Sequence, residues 1–129
     1  MMPIGEVARR AGLPASTIRY YERVGLLPAP GRQGGRRRYT EDVLLRLRVI
    51  GFARENAFTL AEIRRLLAGR PYSARLRQLA GAKIAELEAV ARSARLMQGI
   101  LRNALACNCA TLEECGRRLS RWEMHRKRV

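Results

Sequence analysis

Apolar residues recur at helical spacing near the start of the chain and are interrupted by residues that end helices. Residues 4–11 carry an apolar face of helical period, and Gly12 follows at once, which predicts a first short helix. A second helical segment can be capped by Ser16 or Thr17 and ends at Gly25, the usual residue types for those two positions. Two short helices joined by a tight turn predict a helix-turn-helix motif.

A short β element and two more helices are predicted next. A stretch rich in proline and glycine precedes Arg36–Tyr39, a pattern typical of a short hairpin or wing. The third helix is predicted over residues 40–55. Thr59 and Glu62 have the spacing of a capping box, which opens a fourth helix. These elements together predict a winged helix-turn-helix domain over residues 1–71.

A long helix without proline is predicted over residues 72–106. Along this helix, mostly apolar residues recur alternately four and three residues apart, as at the seam where two helices of a coiled coil meet. The helix would be about 50 Å long at 1.5 Å per residue, and one helix cannot bury its own apolar stripe. We therefore expect a coiled coil formed with a partner chain, in a dimer. The predicted seam residues are Leu76, Ala80, Lys83, Leu87, Val90, Ala94, Met97, Leu101 and Ala104.

The charge of the chain indicates nucleic acid as a partner. Its 129 residues include 26 Lys and Arg against 11 Asp and Glu, a formal net charge of +15. All the basic residues except Lys83 and Lys127 are arginine, which suits bidentate contacts with phosphate and guanine. Polar groups do not converge as in a catalytic site, so an enzyme is not expected. Without an apolar run of membrane-span length or a secretory h-region, the chain is predicted to be cytoplasmic and to have no membrane contact.

Three cysteines lie within nine residues, as Cys107, Cys109 and Cys115, and the chain has no others. An odd, clustered set is a poor disulfide framework and a better metal or redox site. Two soft thiolates suit Cu(I), Ag(I) or Au(I). A third thiolate permits three-coordinate binding of Hg(II), Cd(II) or Pb(II). A thiol-based metal carrier is a further alternative, but a carrier has no use for a helix-turn-helix domain.

Three strings of the sequence resemble the DNA-binding domain of MerR-family transcription regulators. They are Gly5–Ala8, Ile18–Glu22 and Arg37–Thr40. The resemblance implies an all-α fold with a small β wing: a winged helix-turn-helix domain (1–71), a long dimerisation helix that forms an antiparallel coiled coil (72–106), and a cysteine effector loop with a basic C-terminal tail (107–129). It also implies a homodimer that binds double-stranded promoter DNA, distorts it when an effector binds, and so presents it to RNA polymerase holoenzyme.

The same resemblance implies which residues contact DNA. Arg19 and Tyr21 match positions of the recognition helix, whereas Tyr20 is expected in the hydrophobic core. Arg37 and Tyr39 match wing residues that hold the DNA backbone. The wing position that is usually aromatic in the family is an arginine here, which can hold phosphate as a point charge. The predicted DNA-binding residues are Ser16, Thr17, Arg19, Tyr21, Arg36, Arg37 and Tyr39.

The resemblance also bears on the effector. The spacing of Cys107 and Cys115 is similar to the metal-binding loop of copper-sensing members, which favours Cu(I) or Ag(I). Ser73 stands where divalent-ion sensors place a cysteine and monovalent sensors a serine, so it is the predicted selectivity position. Cys109 is not part of the two-cysteine pattern, and it keeps divalent Hg, Cd or Pb, or sensing of oxidants or an organic ligand, as alternatives. Iron–sulfur members have a fourth cysteine where this chain has Ala104, which argues against an iron–sulfur cluster.

Overall fold

The computed structural model describes residues 1–126, and the side chains of residues 1–119. The predicted basic tail is therefore described only in part. The chain divides into a first unit, Met1–Glu86, and a second unit that begins at Leu87. The elements are α1 (Ile4–Ala11), α2 (Ala15–Arg23), β1 (Gly31–Gln33), β2 (Arg36–Arg38), α3 (Asp42–Glu55), α4 (Leu60–Ala68), α5 (Tyr72–Leu105) and α6 (Leu112–Arg126).

This order of elements confirms the predicted fold class, a mostly helical chain with a two-stranded wing and one long helix. The predicted domain boundaries stay a prediction, because α5 contributes residues to both units. Within the part of the chain that the structure describes, no helix has both the length and the apolar character needed to cross a membrane.

The helix-turn-helix forms for local reasons. Gly12 ends α1 in the left-handed conformation, with φ 68° and ψ 31°, where a side chain would be strained. The carbonyl of Pro14 then accepts the N–H of Thr17 at 3.0 Å, which starts α2. The prediction that Ser16 or Thr17 caps this helix is wrong. Pro14 is the N-cap residue and has no side-chain cap, because both polar residues already lie inside the first turn.

The predicted wing is confirmed as an antiparallel hairpin of β1 and β2. Gly34 and Gly35, between the two strands, have φ of 59° and 77°. Two successive positive φ angles are what a tight type I′ hairpin turn requires, and glycine adopts them without strain. Tyr39 extends the pairing by one bridge to Met2, with N–O distances of 2.7 and 2.8 Å. The wing is thereby tied to the start of the chain.

The core of the first unit comes from α1 to α4, the turn after α2 and the start of α5. At the start of α4 the predicted capping box is confirmed. The N–H of Glu62 donates to Thr59 Oγ1 at 3.1 Å, and the N–H of Thr59 donates to Glu62 Oε1 at 2.8 Å. Burying each large apolar side chain contributes about 1.5–3 kcal/mol relative to exposure. The largest fully buried side chains are Ile18, Leu26, Ile50, Ile63, Leu66 and Val7.

A buried lysine attaches the start of α5 to α4. Lys83 is 3% exposed, and its ammonium donates to Glu62 Oε1 and Glu86 Oε2, each at 2.9 Å. It also lies 5.4 Å from the centre of the Phe58 ring. The prediction that Lys83 lies in the coiled-coil seam is therefore wrong. A desolvated ammonium requires a carboxylate partner, and Glu62 provides one within the same chain.

The apolar stripe of α5 is exposed from Leu87 onward. The predicted seam residues Leu87, Val90, Met97 and Leu101 are 44%, 58%, 57% and 65% exposed within one chain. A contiguous apolar stripe of this kind marks a surface that associates with another protein surface. The exposure supports the predicted homodimer, which stays a prediction.

The contact between Glu62 and Lys83 predicts how the stability of the first unit depends on pH. The N–H of Thr59 and then the ammonium of Lys83 hold the pKa of Glu62 below its ordinary value of 4.5. A carboxyl group with a lowered folded pKa stabilises the fold above its unfolded pKa, and this stability is lost as pH falls through the folded value. We therefore expect Glu62→Gln, which cannot titrate, to lose less unfolding free energy than wild type between about pH 6 and pH 3.

Urea unfolding at each pH measures this difference. Glu55→Gln, at an exposed carboxylate at the end of α3, is the matched control and should keep the wild-type pH dependence. Parallel curves for wild type and Glu62→Gln would contradict the prediction.

Candidate functional sites

Three of the residues predicted to contact DNA lie at the start and middle of α2. Arg19 and Ser16 are exposed, and Thr17 is half-buried. The helix is anchored by Ile18, which is fully buried, so its neighbours in sequence face away from the core. The exposed guanidinium of Arg19 and the exposed hydroxyl of Ser16 can reach phosphate oxygens and base edges.

The two tyrosines of α2 differ in exposure. Tyr21 is half-buried and packs against the core, because it is three residues from Ile18 and shares its face. Tyr20 is 39% exposed, so the prediction that it is a core residue is wrong. The guanidinium of Arg23 lies 5.7 Å from the centre of the Tyr20 ring. Tyr20 and Arg23 thus add an aromatic ring and a cation to the exposed surface, which sequence reasoning missed.

The wing presents arginines on both of its faces. Side chains alternate along a strand, so Arg37 of β2 faces one way while Arg36 and Arg38 face the other. Arg36 is exposed, and Arg37 and Arg38 are half-buried. Arg37 Nη1 lies 3.5 Å from Glu22 Oε2 of α2. Among the residues with described side chains, Arg38 Nε is buried without a hydrogen-bond partner.

Tyr39, which was predicted to contact DNA, is 4% exposed. Its hydroxyl donates to Glu22 Oε1. Burial, and then the hydrogen bond to this carboxylate, raise the pKa of Tyr39 to about 12. The Glu22 side chain is itself only 9% exposed. Sequence reasoning missed Glu22, although it ends the string Ile18–Glu22, because its partners are contributed by the wing.

The three cysteines meet at the junction between α5 and α6. Their Sγ atoms all lie within 4.8 Å of one another. Cys107 is exposed, whereas Cys109 and Cys115 are half-buried. The N–H of Cys109 donates to Cys107 Sγ at 3.4 Å. The structure therefore brings all three predicted thiol ligands together within one protomer.

The start of α6 places Cys115 next to the other two thiols. The N–H of Glu114 donates to Thr111 Oγ1 at 3.2 Å, and the N–H of Ala110 donates to Glu114 Oε2 at 3.2 Å. Such bonds fix a helix N-terminus as a capping box does. Cys115 then lies in the first turn, with its N–H on the Thr111 carbonyl at 3.2 Å. Sequence reasoning missed the part that Glu114 takes in ordering this segment.

Cys107 and Cys109 have opposite pKa shifts. The hydrogen bond from the backbone N–H of Cys109, followed by the one with its side chain, lowers the pKa of Cys107. The hydrogen bond to Cys107, followed by burial, raises the pKa of Cys109 to about 11. The charge of Arg118 lowers both. Cys107 therefore loses its proton more readily than Cys109, and metal binding must displace the protons that remain.

The donor set of this cluster is three sulfur atoms. Thiolate sulfur selects soft ions, among them Cu(I), over hard ions such as Mg²⁺ and Ca²⁺. Ser73, the predicted selectivity position, is exposed near the start of α5 and belongs to the first unit. The thiol cluster belongs to the second unit.

Comparison with known proteins shows the family. Residues 2–70 match the family described as MerR HTH family regulatory protein. The chain is 34% identical over 124 residues to the HTH-type transcriptional regulator HmrR of Rhizobium leguminosarum bv. viciae, covering 88% of this chain and 96% of HmrR. It is 48% identical over 65 residues to the mercuric resistance operon regulatory protein of Bacillus cereus, covering 50% of this chain and only 49% of that relative.

A solved structure resembles nearly the whole chain. The crystal structure of the transcription regulator PbrR691 from Ralstonia metallidurans CH34, in complex with lead(II), has a TM-score of 0.76 and 36% sequence identity. The likeness covers 90% of this chain and 95% of that chain. These relatives are described as regulators and not as enzymes, which agrees with the expectation that this chain is not an enzyme.

Proposed function

The chain belongs to the MerR HTH family of transcription regulators, and on that premise we propose that it binds promoter DNA as a homodimer and responds to a soft metal ion held by Cys107, Cys109 and Cys115. The observation that carries the proposal is the convergence of three sulfur atoms within 4.8 Å. They lie directly after α5, a helix whose first residues belong to the winged helix-turn-helix unit.

DNA recognition is assigned to α2 and the wing. α2 would enter the major groove with Arg19 and Ser16, both exposed, directed at base edges and phosphates. Arg36 and Arg37 of the wing would contact the backbone. Two copies of α2 in a homodimer would read half-sites about 34 Å apart. Because guanidinium groups displace condensed counterions, the affinity should fall steeply with salt.

The exposed stripe of α5 is the proposed dimer interface. Its large side chains from Leu87 to Leu105 are exposed within one chain, and pairing with a second α5 would remove them from water. Antiparallel pairing would place two winged helix-turn-helix units on one duplex, as the family resemblance implies. The dimer is therefore the form in which we expect the chain to bind DNA.

The thiol cluster is the proposed effector site. Cys107 and Cys109 follow α5 and Cys115 lies in the first turn of α6, so a metal held by all three would fix that turn to the loop. Thr111 and Glu114 already order this junction. A shift there would be transmitted along α5, the continuous helix that both units share. The resemblance implies that the bound promoter is then distorted so that RNA polymerase holoenzyme can read it.

Two classes of soft ion fit this cluster. Three-coordinate Hg(II), Cd(II) or Pb(II) is supported by the position of Cys109 beside the other two thiols and by the likeness to PbrR691, whose structure contains lead(II). Two-coordinate Cu(I) or Ag(I), which the sequence favours, is supported by the spacing of Cys107 and Cys115 and by the serine at position 73. Because all three sulfur atoms converge, we place the three-coordinate class first.

A metal titration of the reduced protein, followed by its ultraviolet absorption, tests this assignment. We expect one Hg(II) or Cd(II) ion per protomer. Cys109→Ser should weaken binding as strongly as Cys107→Ser or Cys115→Ser, by more than about 100-fold, since even partners outside the ligand set cost up to that much.

The control is Ser93→Ala, at an exposed position of α5, which leaves the cluster intact and should bind as wild type does. Tight Cu(I) binding that survives in Cys109→Ser, but not in Cys107→Ser or Cys115→Ser, would instead establish the two-coordinate class. Failure of every soft ion to bind would contradict the metal proposal and favour a redox or organic effector.

Substitution of Arg19 separates a regulator from a metal carrier. Arg19→Ala should weaken binding to an operator duplex, selected from a random-sequence pool, by about tenfold to a hundredfold. Its metal binding should be unchanged. Arg92→Ala, at an exposed position of α5, removes the same charge and should have a smaller effect in a mobility-shift titration. Equal losses in the two variants, or full DNA binding by Arg19→Ala, would contradict the assignment of α2.

A further inference from the structure

Glu22 places a carboxylate between the two elements assigned to DNA. It lies on α2, three residues beyond Arg19, and its side chain is 9% exposed. One carboxylate oxygen accepts the hydroxyl of Tyr39, and the other lies 3.5 Å from Arg37 Nη1. A negative charge so close to a phosphate-binding surface opposes DNA binding by simple electrostatics. A carboxylate at this position therefore needs a physical explanation.

The explanation lies in the wing, which is too small to hold its own side chains in place. It consists of two strands of three residues each, and an isolated two-stranded hairpin is at best marginally stable in water. The bridge between Met2 and Tyr39 fixes the backbone at one end. It does not fix the long side chain of Arg37, which would otherwise sample many rotamers. The carboxylate of Glu22 lies 3.5 Å from Arg37 Nη1 and restricts this side chain.

We propose that Glu22 is a positioning residue for DNA binding, which holds Tyr39 and Arg37 so that the guanidinium meets a phosphate while α2 occupies the major groove. The inference rests on the proposed function. Arg37 is 34% exposed, and a guanidinium has five N–H donors, so it can bind a phosphate without leaving Glu22. Tyr39, which is 4% exposed, acts through Glu22 and not by direct contact.

The sign of one measurement separates positioning from simple charge. Removing a carboxylate makes the surface more positive, which by itself tightens DNA binding. Removing the group that orients Arg37 weakens binding, because the guanidinium must then be ordered when the phosphate contact forms. Weaker binding after loss of Glu22 is therefore opposite to the electrostatic expectation.

A double-mutant cycle between Glu22 and Arg37 tests the proposal. Full-length protein is titrated against an operator duplex that the wild type has selected from a random-sequence pool. We expect Glu22→Ala and Arg37→Ala each to weaken binding about tenfold, and the double variant to bind no more weakly than Arg37→Ala. Arg37→Ala should also reduce the slope of log affinity against log salt by about one, since it loses one phosphate contact.

Two further variants keep the cycle decisive. Glu22→Gln retains an acceptor for the Tyr39 hydroxyl, so it replaces Glu22→Ala if that variant does not fold, and it should show the same coupling to Arg37. Glu41→Gln removes a carboxylate from the exposed pair with Arg10 and should not weaken binding. Additive losses in the double variant, or wild-type or tighter binding by both Glu22 variants, would overturn this inference and leave the proposed function intact. A wild type that selects no duplex would overturn both.

Discussion

The arrangement of the first unit depends on the contacts that the buried ammonium of Lys83 makes with two carboxylates. It donates to Glu62 and Glu86 at 2.9 Å each. Glu62 also accepts the N–H of Thr59 at the start of α4, so one carboxylate both caps α4 and attaches α5. A buried charge is costly without its partner, which favours one orientation of α5 against α4 over alternatives. The start of α5 thereby has a defined contact with α4 within the first unit.

The two proposed sites use side chains that do not compete for the same ligands. Guanidinium groups bind phosphate through several N–H donors, whereas thiolates bind soft metal ions. Neither set has affinity for the other's ligand, so one small chain can carry both. The exposed stripe of α5 from Leu87 onward supports the proposal that the working form is a pair of chains. Such a pair would contain two copies of α2 and two thiol clusters.

Sequence reasoning succeeded where a structural signal is local. The left-handed end of α1 at Gly12, the capping box of Thr59 and Glu62, and the wing turn each depend on residues within a few positions. It was harder to predict which side chains of α2 are exposed. Tyr20 and Tyr21 are the same residue type, and only their positions relative to the buried Ile18 distinguish them. The missed contacts join distant parts of the chain: Tyr39 to Glu22 across 17 residues and Lys83 to Glu62 across 21.

For the thiol cluster, too, the sequence predicted the residues and only the structure shows their geometry. Three cysteines in one short segment predict a metal or redox site from composition alone. Their convergence depends on the turn into α6, which Thr111 and Glu114 order, and a sequence pattern does not give the distance between sulfur atoms. The spacing of the cysteines therefore left open whether Cys109 is a ligand. Its position near the other two thiols is a structural finding.

We propose that metal bound at the thiol cluster changes the shape of the DNA bound by α2 and the wing. The most direct measurement is energy transfer between dyes on the two ends of an operator duplex bound to reduced protein, before and after one equivalent of Hg(II) per protomer. We predict a changed end-to-end distance for wild type, and no change for the Cys107→Ser/Cys109→Ser/Cys115→Ser triple variant bound to the same duplex. An unchanged distance for wild type with both metal and DNA bound would contradict this proposal.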